Sequence, residues 1–128
     1  MTSGRTLLCA GLLLALATLC GALGEHGLRA ALSAERMELW QTAVRYQFFQ
    51  SLGLLGVGLA LRGTERGALR AAAALIAAGV VVFCGSLYAL ALGAPRLAGA
   101  LTPFGGLAWI AGWLVFAYGA WRPPQLRS

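Results

Sequence analysis

The sequence has no lysine, no aspartate and a single histidine, His26. Charged residues fill only 11% of its 128 positions, against about 25% in soluble domains. Hydrophobic residues make up 59%. A water-soluble fold of this length could not hide so much apolar side chain, whereas a fold whose exterior faces lipid has no need to. The charge present is lopsided, ten arginines against four glutamates, net +6. Those arginines are scattered among short segments between apolar runs instead of gathered in one patch. That excludes a nucleic-acid surface and suits contact with lipid head groups. With one histidine, and with Cys9, Cys20 and Cys84 all inside apolar runs, no CxxC or Cys/His spacing exists, so neither a metal nor a cofactor is expected. Cys9 and Cys20 would lie about 16 Å apart along one helix, too far to form a disulfide.

What is there is four apolar runs. They are "LLCAGLLLALATLCGAL" from Leu7, "AVRYQFFQSLGLLGVGLAL" from Ala43, "LRAAAALIAAGVVVFCGSLYALAL" from Leu69 and "LTPFGGLAWIAGWLVFAYGAW" from Leu101. A spanning helix needs about 20 mostly apolar residues. The expected spans are residues 7–24, 43–61, 69–92 and 101–121, in one transmembrane domain over residues 1–128. The second run is interrupted by Arg45, Gln47, Gln50 and Ser51, and its helix is expected to begin upstream. Ser33 is a good N-cap, and Glu35 and Glu38 favour the positive end of the helix dipole. From Ala34 to Leu61 such a helix would be about 42 Å long, more than the ~30 Å hydrocarbon core. Residues 34–42 should therefore lie in the head-group zone, with Trp40 and Tyr46 as aromatic anchors and Arg45 snorkelling from near the boundary.

The connectors "RGTERGA" and "GAPRLAGA" are short, which favours antiparallel neighbours. The fold class expected is all-α, an integral membrane four-helix bundle of up-down antiparallel topology. The tail "RPPQLRS" cannot continue a helix past Pro123. Arg5, Arg62, Arg66, Arg70, Arg122 and Arg127 fall on one side of the bundle, and Arg29, Arg36, Arg45 and Arg96 on the other. The positive-inside rule then puts both termini in the cytoplasm.

Helices in lipid associate through small residues that allow close approach. Three strips qualify: Gly105, Gly112 and Gly119 with Ala108; Ala71, Ala74, Ala78, Gly85 and Ala89; and Gly11, Ala15, Thr18 and Ala22. All three are expected to pack inside the bundle, with a homo-oligomer seam as the competing reading.

The stretch "ALGEHGL", Ala22 to Leu28, supports three readings. Ala22-Leu23-Gly24 has the small-x-small pattern of a signal-peptidase site. Glu25 and His26 are adjacent ionisable groups, but a catalytic pair would need a nucleophile or a metal, and a zinc site needs more ligands than these. The third reading is a polar helix exit, with Gly24 and Gly27 allowing a turn. It is preferred, and leaves His26 able to sense pH, as imidazoles do in the physiological range.

Polar groups entering a span face the bundle interior or a wet cavity. Glu38, Thr42 and Arg45 share one helical face, so a local ion pair could form. Gln47 and Gln50 share another and could bond Ser86 or Tyr88. The preferred reading is that these residues tie helices together; the sharper one is a candidate polar pocket of His26, Arg45, Tyr46, Gln47, Gln50, Ser86 and Tyr88, opening toward the extracytoplasmic side.

Four motifs, "GALGEHGL", "WQTAVRYQFFQSLGLLG", "FCGSLYALAL" and "TPFGGLAWIAGW", stand in the order and at the spacing found in a known family. From Leu7 to Trp121 the chain resembles the YgdD-like family of small four-helix bacterial inner-membrane proteins. The resemblance implies a multi-pass inner-membrane protein that retains its first helix, and no particular activity. Matched positions are Gly24, His26, Gly27, Trp40, Gln41, Tyr46, Gln47, Gly85, Ser86, Tyr88, Thr102, Pro103, Gly105, Gly106, Gly112 and Trp113. The chain departs from the family pattern at Glu25, usually a small residue, and at Gln50, usually histidine. A role needing two histidines is thereby put in doubt.

Three functions fit these features to different degrees. A non-enzymatic membrane component, partnered by the bilayer and by another membrane protein or a second copy, is preferred. A small-solute transporter or channel with a polar pocket near Arg45 is the alternative, although no Asp or Glu lies mid-span to carry protons. A membrane enzyme would need Glu25, His26 and Ser86 brought together.

Overall fold

The computed structural model describes residues 1–64 and 66–123. The tail beyond Pro123, with Arg127, and Glu65 of the first short connector lie outside the described residues. Within them the chain is all-helical: α1 (Ser3–Leu23), a π-helical turn (Gly24–Leu28), α2 (Ala34–Gly63), α3 (Gly67–Ala91), a 3-10 turn (Arg96–Ala100) and α4 (Thr102–Trp121).

Local chemistry sets these boundaries. Thr2 Oγ1 accepts the amide of Arg5 at 3.2 Å and starts α1. Ser33 Oγ accepts the amide of Arg36, also at 3.2 Å, and starts α2, with Glu35 in its first turn. Both satisfy amides that have no partner within the helix. Pro103 occupies the first turn of α4, where its missing N–H costs nothing. After α3 the chain reverses through Gly93, whose φ of +105° admits only glycine without strain. At the opposite end of α4, Arg66 Nη1 donates to the carbonyl of Gly119 at 2.7 Å and to that of Arg122. It caps carbonyls that the helix leaves open.

Three helical segments are long and apolar enough to cross a membrane: Ser3–Leu28, Gly67–Ala91 and Arg96–Trp121. The α2 helix falls short of that standard for a physical reason. Its polar residues include Gln47 and Ser51, which point inward and are fully buried, while Phe49, Leu52 and Leu59 are exposed. The exterior elsewhere is equally apolar. Leu8, Leu12, Leu16, Leu19 and Leu23 of α1 stand 48–62% exposed, and Phe104, Leu107, Ile110 and Leu114 of α4 stand 61–66% exposed. Small residues such as Ala10, Ala17, Ala72, Ala73 and Gly79 sit inside. The interior also holds large groups, among them Leu54, Leu61, Ile76 and Trp109, so what marks this fold is the run of large apolar side chains left on its exterior, as a surface facing lipid allows.

The principal packing is sequential, α1 on α2, α2 on α3 and α3 on α4. The glycines of α4 lie against α3: a Cβ on Gly105 would stand 2.5 Å from the Phe83 amide nitrogen, one on Gly112 3.0 Å from Ile76, and one on Gly119 2.8 Å from Ala68. The other two small-residue strips do not pack inside. Ala71, Ala74, Ala78 and Gly85 are exposed on α3, as are Gly11, Ala15, Thr18 and Ala22 on α1. The inward faces are instead Ala72, Ala73, Ile76, Gly79 and Val80, and Thr6, Ala10, Ala17 and Cys20. Each contains or faces a hollow that a large neighbour fills: Trp109 covers Gly79, and Leu7 of α1 fills the space over Gly58 of α2. Thr18 satisfies its own hydroxyl by donating to the Leu14 carbonyl at 2.9 Å, and can therefore face outward.

Candidate functional site

Gln47 lies in the second third of the α2 helix and is 1% exposed. Its Nε2 donates to the carbonyl of Leu13 in α1 at 2.8 Å, and its Oε1 accepts the Tyr88 hydroxyl of α3 at 2.7 Å. One side chain thus joins three helices. Tyr88 in turn meets the Trp40 ring edge-on, with centroids 4.7 Å apart. Trp40 donates its indole N–H to the Cys20 carbonyl at 2.8 Å. The expected role of Trp40 as an interfacial anchor is corrected: it is 6% exposed and belongs to the interior. Its position also explains Gly24. A Cβ there would stand 2.9 Å from Trp40 Cδ1, so the glycine makes room for the indole. No turn occurs at Gly24, which keeps helical backbone (φ −60°) as the helix widens into its π-helical turn. Trp40→Phe removes the bond to Cys20 and leaves a hollow where the larger indole stood. It is expected to lower stability by about 1–3 kcal/mol, measured by unfolding in detergent micelles.

The other polar residues form separate pairs. Gln50 Oε1 accepts the Trp113 indole N–H at 2.8 Å, joining α2 to α4. Ser86 Oγ lies 2.5 Å from Thr102 Oγ1 and donates to the Phe83 carbonyl at 2.8 Å. Of the partners expected for Gln47 and Gln50, Tyr88 takes Gln47, whereas Gln50 pairs with Trp113 and Ser86 with Thr102. Tyr46 is 39% exposed and packs in an aromatic group, 5.2 Å from Phe83 and 5.9 Å from Trp109 between centroids. Thr102 and Trp113 were not among the candidate pocket residues, although both stand in motifs. Thr102 is masked by Pro103, which marks a helix start, and a lone tryptophan in an apolar run carries no sign of its partner.

His26 is exposed on the π-helical turn, beside an ion pair between Arg29 and Glu25 at 2.8 Å. It is not brought to Ser86, which is buried between α3 and α4. No group of three or more metal-ligating side chains occurs among the described residues. Arg45 is also separate from Gln47. It is exposed on the wall of an open groove of about 600 Å³ that is shared by Arg29, Met37, Glu38, Gln41 and Thr42. The candidate residues therefore divide into a buried or half-buried set that joins helices, an exposed histidine, an arginine on one groove, and Tyr46, which shares a second, apolar groove with Gln50, Phe83, Trp109 and Trp113.

The family described as "Protein of unknown function (DUF423)" matches residues 20–106, a stretch that holds His26, Arg45, Gln47, Ser86 and Tyr88. A UPF0382 membrane protein of Staphylococcus haemolyticus is 48% identical over 95 residues, covering 74% of this chain and 77% of its own. The UPF0382 membrane protein YwdK of Bacillus subtilis is 38% identical over 101 residues, 78% of this chain and 82% of its own. The UPF0382 inner membrane protein YgdD of Escherichia coli is 38% identical over 102 residues, 80% of this chain and 78% of its own. No solved structure matches the chain.

Proposed function

We propose a function from one premise: this chain belongs to the DUF423 family, the UPF0382 membrane proteins. It is a membrane protein of a family without an assigned activity, and our reading is that it serves as a non-catalytic accessory component of the bacterial inner membrane. It crosses the bilayer four times as an up-down antiparallel bundle with both termini in the cytoplasm. Its first helix is retained.

The observation that carries this reading is how the intramembrane polar groups are used. Gln47, Gln50, Ser86 and Tyr88 each hold a partner on another helix or in the adjoining turn of α4. Such bonds hold helices together in lipid. Of the three residues that motivate the transporter alternative, Gln47 and Gln50 are engaged in bonds between helices, and Arg45 stands apart on an open groove. Antiparallel neighbours are supported by contacts that run in opposite directions: Leu7 against Gly58 but Gly21 against Val44, and Ala68 against Gly119 but Gly79 against Trp109. Retention of α1 is supported by its bonds to α2 from Ser3, Leu13 and Cys20.

Single cysteines at Ala31 and Thr64, in a chain with Cys9, Cys20 and Cys84 changed to serine or alanine, test the topology. A membrane-impermeant maleimide added to spheroplasts should label position 31 and leave position 64 unlabelled until lysis. The intact mass should include residues 1–24. The reverse labelling pattern, or a product beginning at Glu25, would refute the arrangement. Photocrosslinkers at the exposed positions Leu12 and Ile110, in native membranes, test the accessory role. Adducts to a defined protein or lipid are expected, and their complete absence would count against it.

A further inference from the structure

The groove beside Arg45 holds two charged groups that have no partner among the described residues. Arg29 is neutralised by Glu25, but neither Arg45 nor Glu38 makes a hydrogen bond or ion pair among the described residues, and both are exposed. The local pair that their shared face allows does not form. They stand two helical turns apart, about 10 Å along α2, with Gln41 and Thr42 on the groove wall between them.

Their depths differ. The neighbour of Arg45, Val44, packs at 3.5 Å from a Cβ placed on Gly21, and Gly21 lies inside the apolar run of α1, which continues to Leu23. Arg45 therefore leaves the helix below the apolar rim. Its side chain leans towards the start of α2, as helical side chains do, which brings the guanidinium up to the rim. Glu38 lies further towards water. A cation at the rim and an anion outside it match, in order and in sign, a lipid head group whose phosphate is the deeper charge and whose amine is the shallower one. A guanidinium binds phosphate oxygens through paired N–H donors, and a carboxylate accepts N–H bonds from a primary ammonium.

We propose that this groove seats the head group of a zwitterionic aminophospholipid, with its phosphate on Arg45 and its ammonium on Glu38. The proposal deepens the membrane-component reading and rests on it, because it requires this end of the bundle to lie at the head-group level. The labelling experiment above tests that placement separately. A correct labelling pattern with no lipid preference would defeat this inference alone.

The test is native mass spectrometry of the full-length protein in detergent, titrated with dioleoyl-phosphatidylethanolamine, -phosphatidylglycerol or -phosphatidylcholine. Phosphatidylethanolamine should bind about fivefold more tightly than the other two, the size expected of one additional charged contact. The glycerol head group has no cation for Glu38, and the choline head group has no N–H to donate. Arg45→Ala should reduce retention of all three lipids, and Arg45→Lys should restore part of it. Glu38→Gln should abolish only the preference for phosphatidylethanolamine. Both residues are exposed, so the variants should keep the helical circular dichroism and melting of the parent, and that is checked alongside. Equal binding of the three lipids, preference for phosphatidylglycerol, or variants that bind as the parent does would overturn the proposal. So would displacement of bound lipid by millimolar inorganic phosphate, since that would mark a simple oxyanion site.

Discussion

Gly105→Ala is expected to loosen the α3–α4 pair and to lower stability by about 1–3 kcal/mol, the usual cost of overpacking. A Cβ at this position would stand 2.5 Å from the backbone nitrogen of Phe83 and 2.8 Å from its Cα. Backbone cannot rotate away as a flexible side chain can, so the helices must separate. Separation also disturbs the Trp109 indole, which lies over Gly79 and donates to the Ile76 carbonyl at 3.2 Å. Gly106→Ala is the matched control. There the nearest atom, Phe83 Cδ2, is 4.0 Å from the new Cβ, and alanine has the better helix propensity. Unfolding of the two variants in mixed micelles, followed by far-ultraviolet circular dichroism, should separate them clearly. Equal midpoints would mean that α3 and α4 are not in this register.

Gln47→Ala should have an effect of similar size, about 2–3 kcal/mol, through a different mechanism. It opens a hollow at a fully buried position and leaves the Tyr88 hydroxyl without its acceptor. The loss at Leu13 is smaller, because that carbonyl lies inside α1 and keeps its helical partner. Tyr88→Phe removes the same bond without the hollow. It should cost only about 0.5–1 kcal/mol, since hydrogen bonds between helices in membranes are individually modest. The double variant should then fall well short of additivity. Ser51→Ala provides the contrast. Ser51 is fully buried with its hydroxyl unpartnered among the described residues, so alanine should be neutral or mildly stabilising. If Gln47→Ala proves no worse than Ser51→Ala, Gln47 does not join the three helices.

How much of this could be read from the sequence differs from residue to residue. The start of α2 was legible because a capping serine and an acidic first turn are local signals, and the helix does begin at Ala34. The Gly105–Gly112–Gly119 repeat correctly marked the face of α4 that meets α3. The same reasoning misplaced the strips on α1 and α3. Both helices carry small residues on more than one face, and the face that packs is decided by the partner: Trp109 of α4 covers Gly79 of α3, and Gly58 of α2 leaves the hollow that takes Leu7 of α1. Periodicity within one helix holds no record of its partner. The same limit explains the polar residues. Gln47 and Gln50 could be narrowed to Ser86 or Tyr88 because the donors and acceptors on α3 are few, and Tyr88 does take Gln47. The partner of Gln50 lies 63 residues away in an apolar run, where a tryptophan reads as packing or as an anchor. Gly24 and Gly27 suggested a turn because glycine commonly permits one. Here the first serves to admit an indole and the helix continues.

The order in which the helices pack bears on how the protein is made. Each helix has its principal neighbour immediately before or after it in the chain. As the polypeptide leaves the ribosome, α2 can dock on an α1 already in place, α3 on α2, and α4 on α3. From α2 onward each helix finds a principal partner already made, so the search for these contacts stays local and rapid, and only cross-links such as Gln50 to Trp113 wait for α4. The bonds from Arg66 to Gly119 and Arg122 can close only after translation has reached the last helix, and so mark the completion of biogenesis.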